Sequence, residues 1–158
     1  MSRLRLYLCG SVTGRSAKEM REERQAAAAV LREHGWTQVD PLAGEYDTLK
    51  RWRNIQDDQS ELTFANICLK DRYAIENSDM LLWLTADVAS YGSCIEVGLA
   101  WALGKPIICV DAKGFGNRNA FVSHISTFIG RTLEEAVEFI DRYMMVDAPD
   151  VGEESDAG

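Results

Sequence analysis

Two carboxylates and a tyrosine carry the chemistry this 158-residue chain offers. Glu96 lies in Ser90-Tyr91-Gly92-Ser93-Cys94-Ile95-Glu96-Val97-Gly98-Leu99-Ala100, where a loop gives way to a helix expected over residues 93–103. Backbone N–H groups at a helix start point outward and hold anions, so Gly92 and Ser93 are candidates to bind one. In or near the first turn, Glu96 would be kept ionised by the helix dipole, as a nucleophilic carboxylate requires. Taken alone it reads first as a helix-start carboxylate that stabilises the dipole. Asp71, on the helix before the central strand, reads alone as a solvated helix charge. At one site the pair suits glycosidic chemistry: one carboxylate attacks carbon and the other handles the leaving group's proton. A retaining pair stands about 5–5.5 Å apart. Tyr7, near the end of the first strand, is either a core aromatic or a hydroxyl that orients the nucleophile. The loop after that strand offers Ser11, Thr13 and Arg15 as donors.

The elements that must position these residues alternate. Residues 4–9 (LRLYLC) read as a buried strand ended by Gly10. Ser16 caps a helix running to about His34, with Glu19 completing a capping box and Gly35 stopping it. Residues 37–39 form a short strand closed by Asp40-Pro41. Residues 42–60 show little pattern and read as a long loop of the kind that carries function, where Trp52 could stack on a base. Helical spacing returns over 61–78, followed by the strand MLLWLT at 80–85. After the Glu96 helix, where Gly98 and Ala100 are small enough to pack closely on the sheet, Gly104 leads to the strand IICV at 107–110. A loop over 111–119, a short helix around 121–126 and a last helix from Thr132 to about Met144 follow. Strand–helix alternation predicts a single-domain α/β fold over residues 1–145, Rossmann-like or flavodoxin-like: a doubly wound parallel sheet with helices on both faces. Its site should lie beyond the carboxyl ends of the strands, in the loops after Cys9, Thr85 and Val110. Residues 146–158 are an acidic, flexible tail.

Composition excludes several alternatives. A net charge of -8 argues against nucleic acid as a partner, though not against one small nucleotide. Cys9, Cys68, Cys94 and Cys109 form no CxxC pair, and two histidines give no zinc spacing, so neither a metal nor another cofactor is expected. Reduced core thiols in a cytoplasmic protein are the plain reading of the cysteines. Neither GxGxxG nor GxxxxGK[ST] is present, and no Ser/His/Asp arrangement is visible. No apolar run is long enough for a membrane span, and the N-terminus does not read as a signal peptide. Trp83 and Trp101 are expected in the core, and His34 in solvent.

YLCGSVTGR, DRYAIENSDMLLWL and SYGSCIEVGLAWALGKPI, in that order over residues 5–110, resemble the nucleoside 2-deoxyribosyltransferase family, which includes 2'-deoxynucleoside 5'-phosphate N-hydrolases. The resemblance implies a nucleophilic Glu96 forming a deoxyribosyl intermediate, a base-protonating Asp71, and Tyr7 hydrogen-bonding the nucleophile. It implies that Gly10 and Ser11 line the sugar and base. Transferases carry an aspartate six residues before the glutamate, and this chain has Ser90, as in the phosphate-directed branch. That substitution, with Arg15 nearby, favours a nucleoside 5'-monophosphate over a free nucleoside, because a carboxylate would repel a phosphate. The resemblance also implies a homodimer or higher homo-oligomer, with Asn119 or Ser123 reaching a neighbour's pocket. A phosphoribohydrolase of the lysine-decarboxylase-like type would carry Gly-Gly where this chain has Ser90-Tyr91. A non-catalytic nucleotide-binding module gains nothing from two nearby carboxylates, and a flavodoxin-like electron carrier would need a phosphate loop after the first strand.

Overall fold

The computed structural model of the protein describes residues 4–12, 15–43, 64–85, 90–114 and 116–144. Thr13, most of the patternless segment with Trp52, and the acidic tail lie outside the described residues. Five parallel strands, β1 (Arg5–Gly10), β2 (Thr37–Val39), β3 (Met80–Leu84), β4 (Ile107–Val110) and β5 (Phe128–Gly130), form one sheet in the order β2-β1-β3-β4-β5. This is the doubly wound α/β arrangement expected. The chain steps outward from β1 to β2, then reverses to build β3, β4 and β5 on the other side. The reversal lies between β1 and β3, where doubly wound folds open a ligand crevice.

Residue parity decides what each strand offers to each face. On β1, Leu6 and Leu8 join a core with Ala27 and Leu31 of α1 (Ala17–Glu33) and Ala136 and Val137 of α5 (Leu133–Phe139). Tyr7 and Cys9 point the opposite way, into a second core with Ile75 of α2 (Phe64–Glu76) and Val97 and Ala100 of α3 (Tyr91–Ala102). The alternation thus delivers Tyr7 and Cys9 to the helix that carries Glu96.

The local signals act where expected at several ends. Ser16 and Glu19 make the complete capping box of α1, and Gly35 takes a left-handed φ of 74° that releases the chain into β2. Three expectations are corrected. The strand β5 follows the short helix α4 (Ala120–Ile125) where sequence pattern shows only a connection; three residues are too few for periodicity to register. Trp101 is 55% exposed and Cys94 is also exposed, because both lie on the outer side of α3, whereas Cys9 and Cys109 are buried. Gly98 does not serve close packing on the sheet: a Cβ there would meet nothing within 4 Å, while Ala100 makes that contact.

Candidate active site

A cleft of about 330 Å³ opens at the carboxyl ends of β1 and β3. Gly10 and Val12 line it from the end of β1, and Ser90, Gly92, Ser93, Glu96 and Leu99 from the start of α3. Ile67, Asp71 and Ile75 project from one face of α2, each one turn apart, so helical spacing alone aims Asp71 into the cleft. Pro41 and Leu42 close the β2 side. Larger furrows, about 620 Å³ over α1 and β2 and about 700 Å³ between α1 and α5, are more open and hold neither Glu96 nor Asp71.

Glu96 sits one turn deeper than expected. Ser90 is the N-cap, its Oγ accepting from the Ser93 N–H, and α3 begins at Tyr91, so Glu96 falls in the second turn. The dipole is therefore not its principal influence. Burial dominates instead and pushes its pKa up to about 7, reinforced by the nearby charge of Asp71. The Cys9 thiol, the Arg24 guanidinium and the Tyr7 hydroxyl oppose the rise. None of them holds the carboxylate firmly: the Tyr7 hydroxyl is buried without a partner of hydrogen-bond geometry, and the Cys9 thiol donates to the Ser93 carbonyl at 3.7 Å. Burial with the charges of Glu96 and Asp71 raises the Tyr7 pKa far above a phenol's usual value, so Tyr7 stays a neutral donor. Asp71 is also raised by burial, against the pull of Lys70 and Arg24, and its Oδ1 is buried with no hydrogen-bond partner. Under-satisfied polar groups of this kind mark places built to meet something else.

Other candidates fall differently. Ser11 is buried with an unpartnered Oγ beside Gly10. Arg15 does not line the cleft; it pairs with Glu23 at 2.6 Å. Asn119 caps α4, its Oδ1 accepting from the Phe121 and Val122 N–H groups, and neither it nor Ser123 lines the cleft. None of the described residues of the loop after β4 lines the cleft. Sequence reasoning passed over Arg24, a buried arginine among the cleft's lining residues; an arginine within a charged helix carries no signal of burial.

The family model for nucleoside 2-deoxyribosyltransferase matches residues 6–138. The chain belongs to the nucleoside 2-deoxyribosyltransferase family. It is therefore an enzyme of the deoxyribosyltransferase type, acting on nucleoside-type substrates by glycosyl transfer chemistry. No curated protein matches the chain in sequence. Among solved structures, the Clostridium botulinum CMP N-glycosidase BcmB is similar at 20% identity, with a TM-score of 0.56, over 88% of this chain and 98% of that one. A 2-deoxyribosyltransferase from Bacillus psychrosaccharolyticus is similar at 20% identity, with a TM-score of 0.61, over 83% and 88%. At that identity both show that the fold is shared. No helix among the described residues is long and apolar enough to cross a membrane.

Proposed function

We propose that the enzyme cleaves the N-glycosidic bond of 2'-deoxynucleoside 5'-monophosphates, with water as the final acceptor. Ionised Glu96 attacks C1' while the bond to the base breaks. The base leaves with the bonding electrons and takes a proton from Asp71. Asp71, now ionised, removes a proton from water, which attacks C1' and releases Glu96. The observation that carries this reading is one cleft holding two carboxylates, both raised by burial, above a neutral Tyr7. A raised Asp71 can hold the proton it must give, and Tyr7 can orient the Glu96 carboxylate.

The phosphate fits the start of α3. The Ser90 Oγ accepts from the Ser93 N–H, which leaves its own proton to donate, and Gly92 of the first turn lines the cleft. Gly10 and Ser11 line the sugar and base from β1. The outer face of α3 presents exposed Tyr91 and Ile95 beside the open Gly98, with exposed Leu69 and Tyr73 on α2. A second copy packed there would make a homodimer or larger homo-oligomer, and Asn119 or Ser123 would then reach a neighbour's pocket. Four free cysteines suit a reducing cytoplasm and a place in nucleotide salvage. A ribonucleotide substrate is the second reading, favoured by the shared fold of the CMP N-glycosidase.

The test is base release from nucleosides and their 5'-monophosphates, deoxy and ribo, with and without a second free base, by wild type and Glu96→Ala. Release from deoxynucleoside monophosphates in water, abolished in Glu96→Ala, is the expected result. Exchange only with a second base, on free nucleosides, makes the enzyme a transferase and overturns the role given to Ser90. Ligand binding with no turnover overturns the catalytic reading.

A further inference from the structure

β2 is too short for its neighbour. Its pairing with β1 ends at Tyr7↔Val39, so the next β1 carbonyl on that side has no strand to meet. Arg24 meets it. Though α1 lies on the opposite face of the sheet from α3, the Arg24 side chain crosses at the strand ends, and its Nη1 donates to the Leu8 carbonyl at 2.9 Å and to Asp40 Oδ1 at 2.8 Å. Nη2 lies under Gly10, 3.5 Å from where a Cβ would stand. The residue is 3% exposed, the one buried cation among the described residues, and it lines the same cleft as Glu96 and Asp71.

A buried guanidinium needs its charge paired and its N–H groups hydrogen-bonded. This one gives a single nitrogen to Asp40 and Leu8 and presents the other toward the floor of the cleft. We infer that Arg24 is a positioning residue for the glycosidic reaction: it fixes the end of β1 beneath the sugar and sets a permanent positive charge under Glu96, holding the nucleophile ionised. The inference rests on Glu96 being the nucleophile.

Among the described residues, the groups around Glu96 are few. Tyr7 and Cys9 face it from β1, Asp71 and the half-exposed Lys70 from α2, and Arg24 from α1. Arg72 also lines the cleft but is paired with Glu76 at 2.7 Å. Tyr7 and Cys9 are neutral and Asp71 repels a second negative charge. Lys70 donates to the Pro41 carbonyl at 2.5 Å, on the β2 side of the cleft. Among the described residues, Arg24 is thus the buried charge able to favour the carboxylate, and it counts among the influences that lower Glu96, Asp71 and Cys9 alike.

The experiment titrates Glu96 directly, by carbon NMR of the free protein labelled at its glutamate carboxyls, with Glu96→Gln assigning the signal. In Arg24→Met the midpoint is expected to rise by about one pH unit, and the acid limb of kcat/KM to rise with it. Arg24→Lys should restore most of the wild-type midpoint. Asp40→Asn keeps the Oδ1 acceptor for Arg24 and for the Leu42 N–H but removes the neutralising charge, so the midpoint should fall. That variant preserves the test if Arg24→Met does not fold, and its opposite sign is something a purely structural arginine would not produce. Unmoved midpoints across the folded variants, with only thermal stability lowered, overturn the inference. Absence of base release by wild type would instead overturn the functional reading, since the titration needs no substrate.

Discussion

Two carboxylate regions at the same edge of the sheet have been built in opposite ways. Asp111, at the end of β4, is 1% exposed and fully engaged: it accepts from the Gly114 N–H at 3.0 Å, from the Gly116 N–H and from the Thr85 hydroxyl at 3.3 Å. A Cβ on Gly116 would stand 3.0 Å from its Oδ2, so the loop is closed tightly around it. Glu96 and Asp71, beyond β1 and β3, are only partly buried, and burial raises both while Asp71 Oδ1 meets no hydrogen-bond partner, so the pair is left unfinished. A buried carboxylate whose oxygens are all spoken for holds a loop together; one left short of partners has been kept for a ligand. The sheet order agrees, since the unfinished pair flanks the strand reversal and Asp111 does not.

The sharpest way to break the contrast is to neutralise each side. Glu96→Ala should lower base release by at least about 10³-fold with the fold intact, as expected for loss of a covalent nucleophile. Asp71→Asn should cost about 10²–10³-fold, and most on substrates whose bases are poor leaving groups, because a good leaving group needs little protonation. A uniform loss across leaving groups would sink the proton-donor role. Asp111→Ala should do the reverse, removing about 3 kcal/mol of stability in denaturant unfolding while the folded fraction keeps its turnover. If Asp111→Ala silenced a stably folded enzyme, the division between the two regions would fail.

The same division governs how much was legible from sequence. Glu96 and Asp71 stand in patterned elements, so strand–helix alternation brings them to the correct sheet edge, and the Ser16–Glu19 box and Gly35 mark α1 because their chemistry is local. The start of α3 was misplaced because Tyr91 and Gly92 are poor helix formers, and the Ser90 cap outweighs them. Trp101, Cys94 and Gly98 were assigned inward because periodicity finds an apolar stripe but does not say whether sheet or solvent lies against each side of it. Arg24 was illegible for a different reason. Its burial follows from the shortness of β2 and from the Leu8 carbonyl thereby left over, a fact of tertiary pairing that no window of sequence contains.

An unfinished carboxylate should also weigh on stability. Glu96 has an ordinary value of 4.5 and a folded value of about 7, so the folded state binds its proton more tightly than the unfolded chain. The stability this confers is whole below about pH 4.5 and is lost as pH rises through 7. Ionising Glu96 at pH 8 therefore costs the fold at most roughly 3 kcal/mol, reduced by solvent reaching the cleft. Glu96→Gln should accordingly unfold at higher denaturant than wild type at pH 8 and at the same denaturant at pH 4.5. An advantage that did not vary with pH would mean the glutamine gains from packing rather than from relief of a buried charge.

Tyr7→Phe is the finest of these probes. The hydroxyl has no partner in the free protein, so its loss should leave stability nearly unchanged or slightly improved. If it orients Glu96 once substrate arrives, kcat should fall about tenfold with KM little altered, because the bond would tighten only in the transition state. A fall in stability with unchanged kcat would assign Tyr7 to the packed core beneath α3 and leave Glu96 to be held by Cys9 and Arg24 alone.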